Sequence, residues 1–201
     1  MSSEVKANKI SPATGTALQI SDSGDTTTIP SGATLAIASG ATVTNSGTAS
    51  GFGLFTSYAI ITDQKTSGTE GGTATSGAWR TRDLQTEIAD PDGIVSITTN
   101  EFTLGAGTYL IKWSAPFAEV VFAQTRLYNS TDSTVVQIGQ SAIVNASITG
   151  FVGGSGRTTI AGSKAFRIEY QVNTTKADEG CGRASSFGTE QYTLVEIYKE
   201  A

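Results

Sequence analysis

The 201-residue chain reads as an all-β protein, and three observations point there. Glycine occurs 23 times among many Ser and Thr, Met occurs once, and hydrophobic residues make up 38%. That composition suits strands and turns over long helices. No window places apolar residues at i, i+3, i+4 and i+7, the spacing of an amphipathic helix, whereas several segments alternate apolar and polar residues with a period of two, as a strand with one buried face must.

Charge and residue usage exclude several functions. The formal net charge is −5 and charged residues are 15% of the chain. Displacing counterions from phosphates needs concentrated Lys and Arg, but 13 basic residues lie scattered among 18 acidic ones. No nucleic acid partner is expected, and anionic membranes are disfavoured for the same reason. There is no histidine, which removes the usual general base at neutral pH and the commonest metal ligand. Cys181 is the single cysteine; it cannot close an internal disulfide, and one sulfur without imidazole builds no zinc site. A small buried side chain is expected there. Met1-Ser2-Ser3-Glu4-Val5-Lys6 carries no apolar run, and no stretch approaches the roughly 18 apolar residues of a membrane span. These features predict a chain without cofactor, metal or membrane insertion, made in a cytosol and soluble until assembled.

The chain changes character near residue 52. In residues 1–51, Ser31-Gly32-Ala33-Thr34 returns eight residues later as Ser39-Gly40-Ala41-Thr42, and Asn45-Ser46-Gly47-Thr48 is a weaker copy. Short apolar strands are expected between these turns, at Leu35 and Ile37 and then at Val43, with Gly supplying the turn conformation. Such rungs bury too little apolar surface to offset an ordering cost of about 1–2 kcal/mol per residue. The segment is therefore either a Ser/Thr/Gly linker or a stalk that wraps with identical chains. Regular apolar spacing favours the stalk. Ahead of it, turn-rich residues 1–30, with Ile10, Leu18, Ile20 and Ile29 as apolar anchors, read as an attachment arm.

From 52 to 201 the pattern is that of a β-sandwich. Phe52, Leu54, Tyr58, Ile60 and Ile61 open it. A polar loop is expected from Thr62 to Gly77, exposed and mobile by its Gly68, Gly71 and Gly72. Asp90-Pro91-Asp92-Gly93 is a turn, since Pro presets its second position and Gly suits its last. Ile94–Thr98 and Phe102–Leu104 read as strands joined onward through Gly105-Ala106-Gly107. Tyr109, Ile111 and Trp113 alternate with Lys112 and Ser114, and Phe166, Ile168, Tyr170 and Val172 with Arg167, Glu169 and Gln171. The final strand, Tyr192–Tyr198, is apolar on both faces. Such a strand must be covered twice, by its own sandwich and by something else, plausibly a second subunit.

No residue set reads as catalytic. Asp90 and Asp92 sit where turn formers belong, and they lack the spaced ligands and closing Glu of a calcium loop. Ser155 lies among Gly153, Gly154 and Gly156, but no histidine exists to activate it. Asp178, Glu179 and Glu190 read as solvated loop carboxylates. Trp79 with Arg80 and Arg82 is the most provocative cluster for a glycan site; its plainer reading is a Trp capping the sandwich edge beside a solvated rim. Loops 62–77 and 177–189 are better placed for recognition, as variable loops on a rigid scaffold.

From about residue 77 onward the chain resembles phage structural proteins whose heads are jelly rolls of the tumour-necrosis-factor and complement-globular-head type. Trp79-Arg80-Thr81-Arg82-Asp83-Leu84-Gln85-Thr86 is similar to their Trp-x-x-Arg-x-Leu-Asn-Thr segment, with Gln85 departing from the usual Asn. Phe102-Thr103-Leu104 followed by Gly107-Thr108-Tyr109 resembles their strand, turn and Gly-x-Tyr opening, and Arg126-Leu127-Tyr128-Asn129 their strand end. Thr174-Thr175-Lys176-Ala177, the span from Gly180 to Gly188, and Glu190 through Ile197 resemble their glycine-rich loop and closing strand. The resemblance implies a homotrimer packed about an axis through aromatic and aliphatic residues, for which Tyr109, Ile111, Trp113, Tyr192, Leu194, Ile197 and Tyr198 are the expected interface. It implies a noncatalytic virion component, either a tail fibre or knob engaged in host attachment, or a capsid decoration or head fibre. For the fibre, loops displayed far from the N-terminal arm are expected to meet a cell-surface saccharide or an outer-membrane component. In both cases the N-terminal arm would bind other virion proteins.

Overall fold

In the computed structural model, residues 10, 12, 14–15, 20, 23–44, 54–145 and 148–200 are described. The chain divides into two units, Met1–Thr48 and Ala49–Ala201.

In the first unit, residues 23–44 contain turns and no strand. The repeated Ser-Gly steps are two matching turns: Ala33 N–H donates to the Pro30 carbonyl and Ala41 N–H to the Ala38 carbonyl, both at 3.0 Å. Gly32 and Gly40 take φ of 82° and 83°, which only glycine adopts without strain. The strands expected at Leu35, Ile37 and Val43 are not formed within the single chain, and these side chains are 69%, 50% and 66% exposed. The weaker third copy, Asn45–Thr48, and Phe52 lie outside the described residues.

The second unit is all antiparallel β. Its strands are β1 (Phe55–Lys65), β2 (Arg80–Thr81), β3 (Thr86–Ala89), β4 (Val95–Thr98), β5 (Glu101–Leu104), β6 (Gly107–Ala118), β7 (Val121–Asn129), β8 (Thr134–Val144), β9 (Thr149–Ile160), β10 (Lys164–Val172) and β11 (Glu190–Glu200). One sheet runs β3-β1-β11-β6-β9 and the other β4-β5-β10-β7-β8. Along one edge of β10, β5 pairs with residues 164–166 and β2 with 169–170. Two sheets that exchange the chain back and forth in this order make a jelly-roll sandwich.

Alternation built it. Along β6, Tyr109, Ile111, Trp113 and Ala115 are buried while Lys112 is exposed; β10 buries Phe166, Ile168, Tyr170 and Val172. The inward side chains form two clusters. The larger joins Ile61, Leu84, Phe102, Leu104, Ile111, Leu127, Phe166 and Ile197. The smaller gathers Ala115, Phe117, Val120, Val144, Val152, Tyr170 and Cys181. Each fully buried large apolar side chain contributes about 1.5–3 kcal/mol. Trp113 is anchored in the interior by its indole N–H, which donates to Thr125 Oγ1 at 2.9 Å.

The Gly153-Gly154 pair, noted beside Ser155, has a packing cause. A Cβ on Gly154 would lie 2.6 Å from the Trp113 ring and 3.0 Å from the Gly139 Cα. Glycine at these positions lets β8 and β9, the edges of the two sheets, approach over the indole.

Three sequence expectations are corrected. The loop expected over 62–77 is strand as far as Lys65, with Thr62 and Asp63 buried. Gly71 and Ala74 farther along are buried too, because the segment packs under the 176–182 stretch. The solvated rim around Trp79 loses Arg82, which turns inward and is 2% exposed. Glu190 is buried rather than solvated, because backbone amides replace its water. The Asp90 turn stands: its carbonyl accepts from Gly93 N–H at 3.3 Å. Its carboxylate accepts from Ile94 and Val95 N–H at 2.8 and 2.9 Å.

Candidate interaction surfaces

The outer face of the first sheet is assembled by register. Tyr58 of β1 pairs with Tyr198 of β11, which pairs with Leu110 of β6. Two residues along, Ile60 pairs with Glu196 and Glu196 with Lys112; two further, Thr62 pairs with Leu194 and Leu194 with Ser114. Tyr58 is 44% exposed, and Ile60, Leu110, Leu194 and Tyr198 are half-buried. A Lys112–Glu196 ion pair at 3.2 Å crosses the patch. Tyr198 leans on Phe55 with ring centres 5.2 Å apart. At the start of the edge strand β9, Ile148 and Phe151 are 56% and 69% exposed.

The seven residues expected at a subunit interface therefore divide. Tyr109, Ile111, Trp113, Tyr192 and Ile197 are at most 4% exposed and are spent on the chain's own interior. For Tyr109, Ile111 and Trp113, alternation with polar residues signalled the core. Leu194 and Tyr198 face outward, and their register neighbours Tyr58, Ile60 and Leu110 were missed. The signal for those three was their place between the buried positions, one residue out of phase with them.

The two loops expected to carry recognition are stitched into one cap. Gly71 N–H donates to the Gly182 carbonyl at 2.9 Å, Cys181 N–H to Gly72 at 2.8 Å, and Ala74 and Lys176 exchange backbone bonds, both at 2.9 Å. Glu190 sits at the centre. Its carboxylate accepts from the N–H groups of Ser185 at 2.9 Å, Gly68 at 3.1 Å and Ser186 at 2.7 Å. Those amides hold its pKa down to about 2. Beside it, Glu179 accepts from Arg183 Nε at 2.7 Å and pairs with Lys176 at 2.7 Å; Arg183 and then Lys176 lower its pKa to about 2. Phe187 stands free at the tip of the cap, 97% exposed.

The Trp79 cluster is divided by the fold. The Arg126 guanidinium lies 4.2 Å from the Trp79 ring centre and 5.0 Å from that of Tyr128, and Arg167 lies 4.9 Å from Tyr128. Glu169, 3% exposed, accepts from both arginines, from Arg126 Nε at 2.6 Å and Arg167 Nε at 2.8 Å. This ladder is internally satisfied. Arg82 instead enters the interior, donating from Nε to Thr193 Oγ1 at 3.0 Å and from Nη2 to the Cys181 carbonyl at 2.9 Å. Its Nη1 and both carboxylate oxygens of Asp63 are buried without a hydrogen-bond partner. Asp63 falls at a break in the β1–β11 register and turns inward there. Burial pushes its carboxyl pKa up, against the opposing pull of Lys65, whose Nζ lies 3.7 Å away. Burial likewise raises the Cys181 thiol.

Among the described residues no group of His, Cys, Asp and Glu is arranged to hold a metal ion, and no helix is long and apolar enough to cross a membrane.

No family profile and no curated protein matches the chain. Solved structures do. A mouse APRIL structure is 9% identical with a TM-score of 0.47, over 71% of this chain and 98% of that one. The globular domain of a zebrafish complement 1qA protein is 15% identical with a TM-score of 0.46, over 70% and 94%. The PRD1 vertex protein P5 is 14% identical with a TM-score of 0.43, over 74% and 100%.

Proposed function

We propose that the chain is a noncatalytic structural component of a tailed-phage virion: a homotrimeric tail fibre or knob whose jelly-roll head, residues 52–201, takes part in host attachment. Residues 1–51 serve as arm and stalk towards other virion proteins. One observation carries the assembly part of this reading. A single chain presents an apolar sheet face at Tyr58, Leu194 and Tyr198 and a separate apolar edge at Ile148 and Phe151. Two different patches on one chain pair heterologously, and a heterologous contact either closes into a ring or runs on as a filament. A closed trimer agrees with the residues through which the head resembles phage structural proteins. Exposed Leu35, Ile37 and Val43 would find their cover in the same assembly.

Light scattering on the purified full chain tests the assembly, with three copies expected and a monodisperse monomer overturning it. Labelling the protein on intact virions and imaging them then tests its place. Label on the tail supports the fibre; label on the shell supports a capsid decoration instead. Purified protein added before infection should adsorb to host cells and slow attachment. Failure of both at saturation would remove the attachment role.

A further inference from the structure

The outer face of the second sheet holds an open depression of about 540 Å³ where β7 begins and β8 ends. Two rows of side chains floor it. In the first, Gln124 of β7 lies between Ser141 of β8 and Gln171 of β10. In the second, Phe122 pairs with Ile143, and Asn173 is tied alongside by its N–H, which donates to the Phe122 carbonyl at 3.0 Å. Phe122 is 53% exposed and Ile143 64%. Gln124 Nε2 donates to Ser141 Oγ at 2.9 Å, which fixes the plane of its amide. Gln171 is exposed and lines the depression. None of the residues lining the depression carries a charge.

We propose that this depression binds a neutral hexopyranose unit of a surface polysaccharide. Phe122 is the platform for the C–H face of the sugar, and the amides of Gln171, Gln124 and Asn173 hold its hydroxyls. An aromatic ring supplies a flat apolar surface. A side-chain amide presents donor and acceptor together, the pattern that adjacent hydroxyls demand. The rows lie two residues apart, about 6.6 Å along the strands, with strands about 4.8 Å apart, so one ring spans both rows. Uncharged walls disfavour phosphate and carboxylate ligands, whose desolvation nothing there would offset. The site is shallow, so one copy binds at about the millimolar level and an assembly gains from several. The proposal rests on the host-attachment reading and names its ligand class.

The test titrates the full-length protein with maltohexaose, mannohexaose and a galactan hexasaccharide, using saturation-transfer NMR and calorimetry, with an alginate hexamer as anionic control. At least one neutral hexasaccharide is expected to bind. Phe122→Ala and Gln171→Ala should each weaken it by about tenfold or more, with mass and melting temperature unchanged. Both side chains are exposed, so neither variant threatens the fold. Binding of alginate alone, binding indifferent to both substitutions, or no neutral binding far above the millimolar range would each overturn the site. Adsorption of the protein to host cells without any hexasaccharide binding would overturn the site and leave attachment standing. Hexasaccharide binding without adsorption would support the site and sink attachment.

Discussion

Arg82 lies inside the sandwich with its guanidinium carbon 4.8 Å from the centre of the Phe117 ring. A cation there is held by the ring face, by Thr193 Oγ1 and by the Cys181 carbonyl, three groups drawn from distant parts of the chain. It links the segment after β2 to β11 and to the loop before it.

Removing that cation should loosen the cap. Arg82→Met keeps the apolar stem but leaves Thr193 and the Cys181 carbonyl without their donor, at a cost of about 2–4 kcal/mol. Chemical denaturation measures it, and an unchanged midpoint would contradict the role assigned to the guanidinium.

Asp63 should behave in the opposite sense. Burial raises its folded pKa, so its favourable contribution is full below the ordinary carboxylate pKa and is lost as pH rises through the raised value. At neutral pH, above the ordinary carboxylate pKa, the buried carboxyl is a burden to the folded state. Asp63→Asn is expected to raise the melting temperature at pH 7 and to flatten the acid side of the stability curve. A lower melting temperature at pH 7 would show that the Lys65 ion pair outweighs burial.

For Glu190 the sign reverses again. Its folded pKa is lowered from 4.5 to about 2 by the surrounding amides, so its contribution is present above 4.5 and lost as pH falls towards about 2. Glu190→Gln at pH 7 should accelerate hydrogen exchange at the amides of Gly68, Ser185 and Ser186, leaving the β6 and β10 amides protected. Unchanged exchange at those three amides would contradict the anchoring role.

Gly154→Ala places a methyl 2.6 Å from the Trp113 ring. With Gly139 of β8 and Gly154 of β9 close against it, the indole has little room to yield, and overpacking of this kind costs about 1–3 kcal/mol. A shift in tryptophan emission together with a lower denaturation midpoint is expected. Wild-type values for both would mean that the ring moves freely.

Leu194→Asp and Tyr198→Glu put charge on the outer face of the first sheet without touching the interior. Both variants should fold, with an unchanged far-ultraviolet spectrum, and should reduce the mass of the assembly to that of a monomer. Retention of the full mass in both would move the subunit contact elsewhere.

Much of the fold was legible because burial on a strand leaves a period of two. Tyr109, Ile111 and Trp113 alternate with polar residues, and the interior is where they lie. The same rule misled at the surface. Aromatic and aliphatic residues in the strands were expected at a subunit contact, yet five of the seven are consumed by the core, whereas Tyr58, Ile60 and Leu110 carry the exposed face. Periodicity separates two faces but does not say which one meets the second sheet. The cap was illegible for another reason. Gly71 read as loop mobility, but it is buried, as is Gly180 across the cap, and a Cβ on Gly182 would meet the Tyr192 ring at 2.6 Å.

By itself the sequence determined what local chemistry decides: an all-β chain, because apolar residues recur at every second position, and turns at Ser31-Gly32, Ser39-Gly40 and Asp90–Gly93, because Gly and Pro restrict the backbone within a few residues. Only the tertiary structure decided which strands pair, that Arg82 and Asp63 turn inward, that loops 66–74 and 176–189 join through Glu190, and that Phe122 and Gln171 share one depression. Each of these brings together residues far apart in the chain, and the free energy of such a contact depends on what the rest of the fold places opposite it.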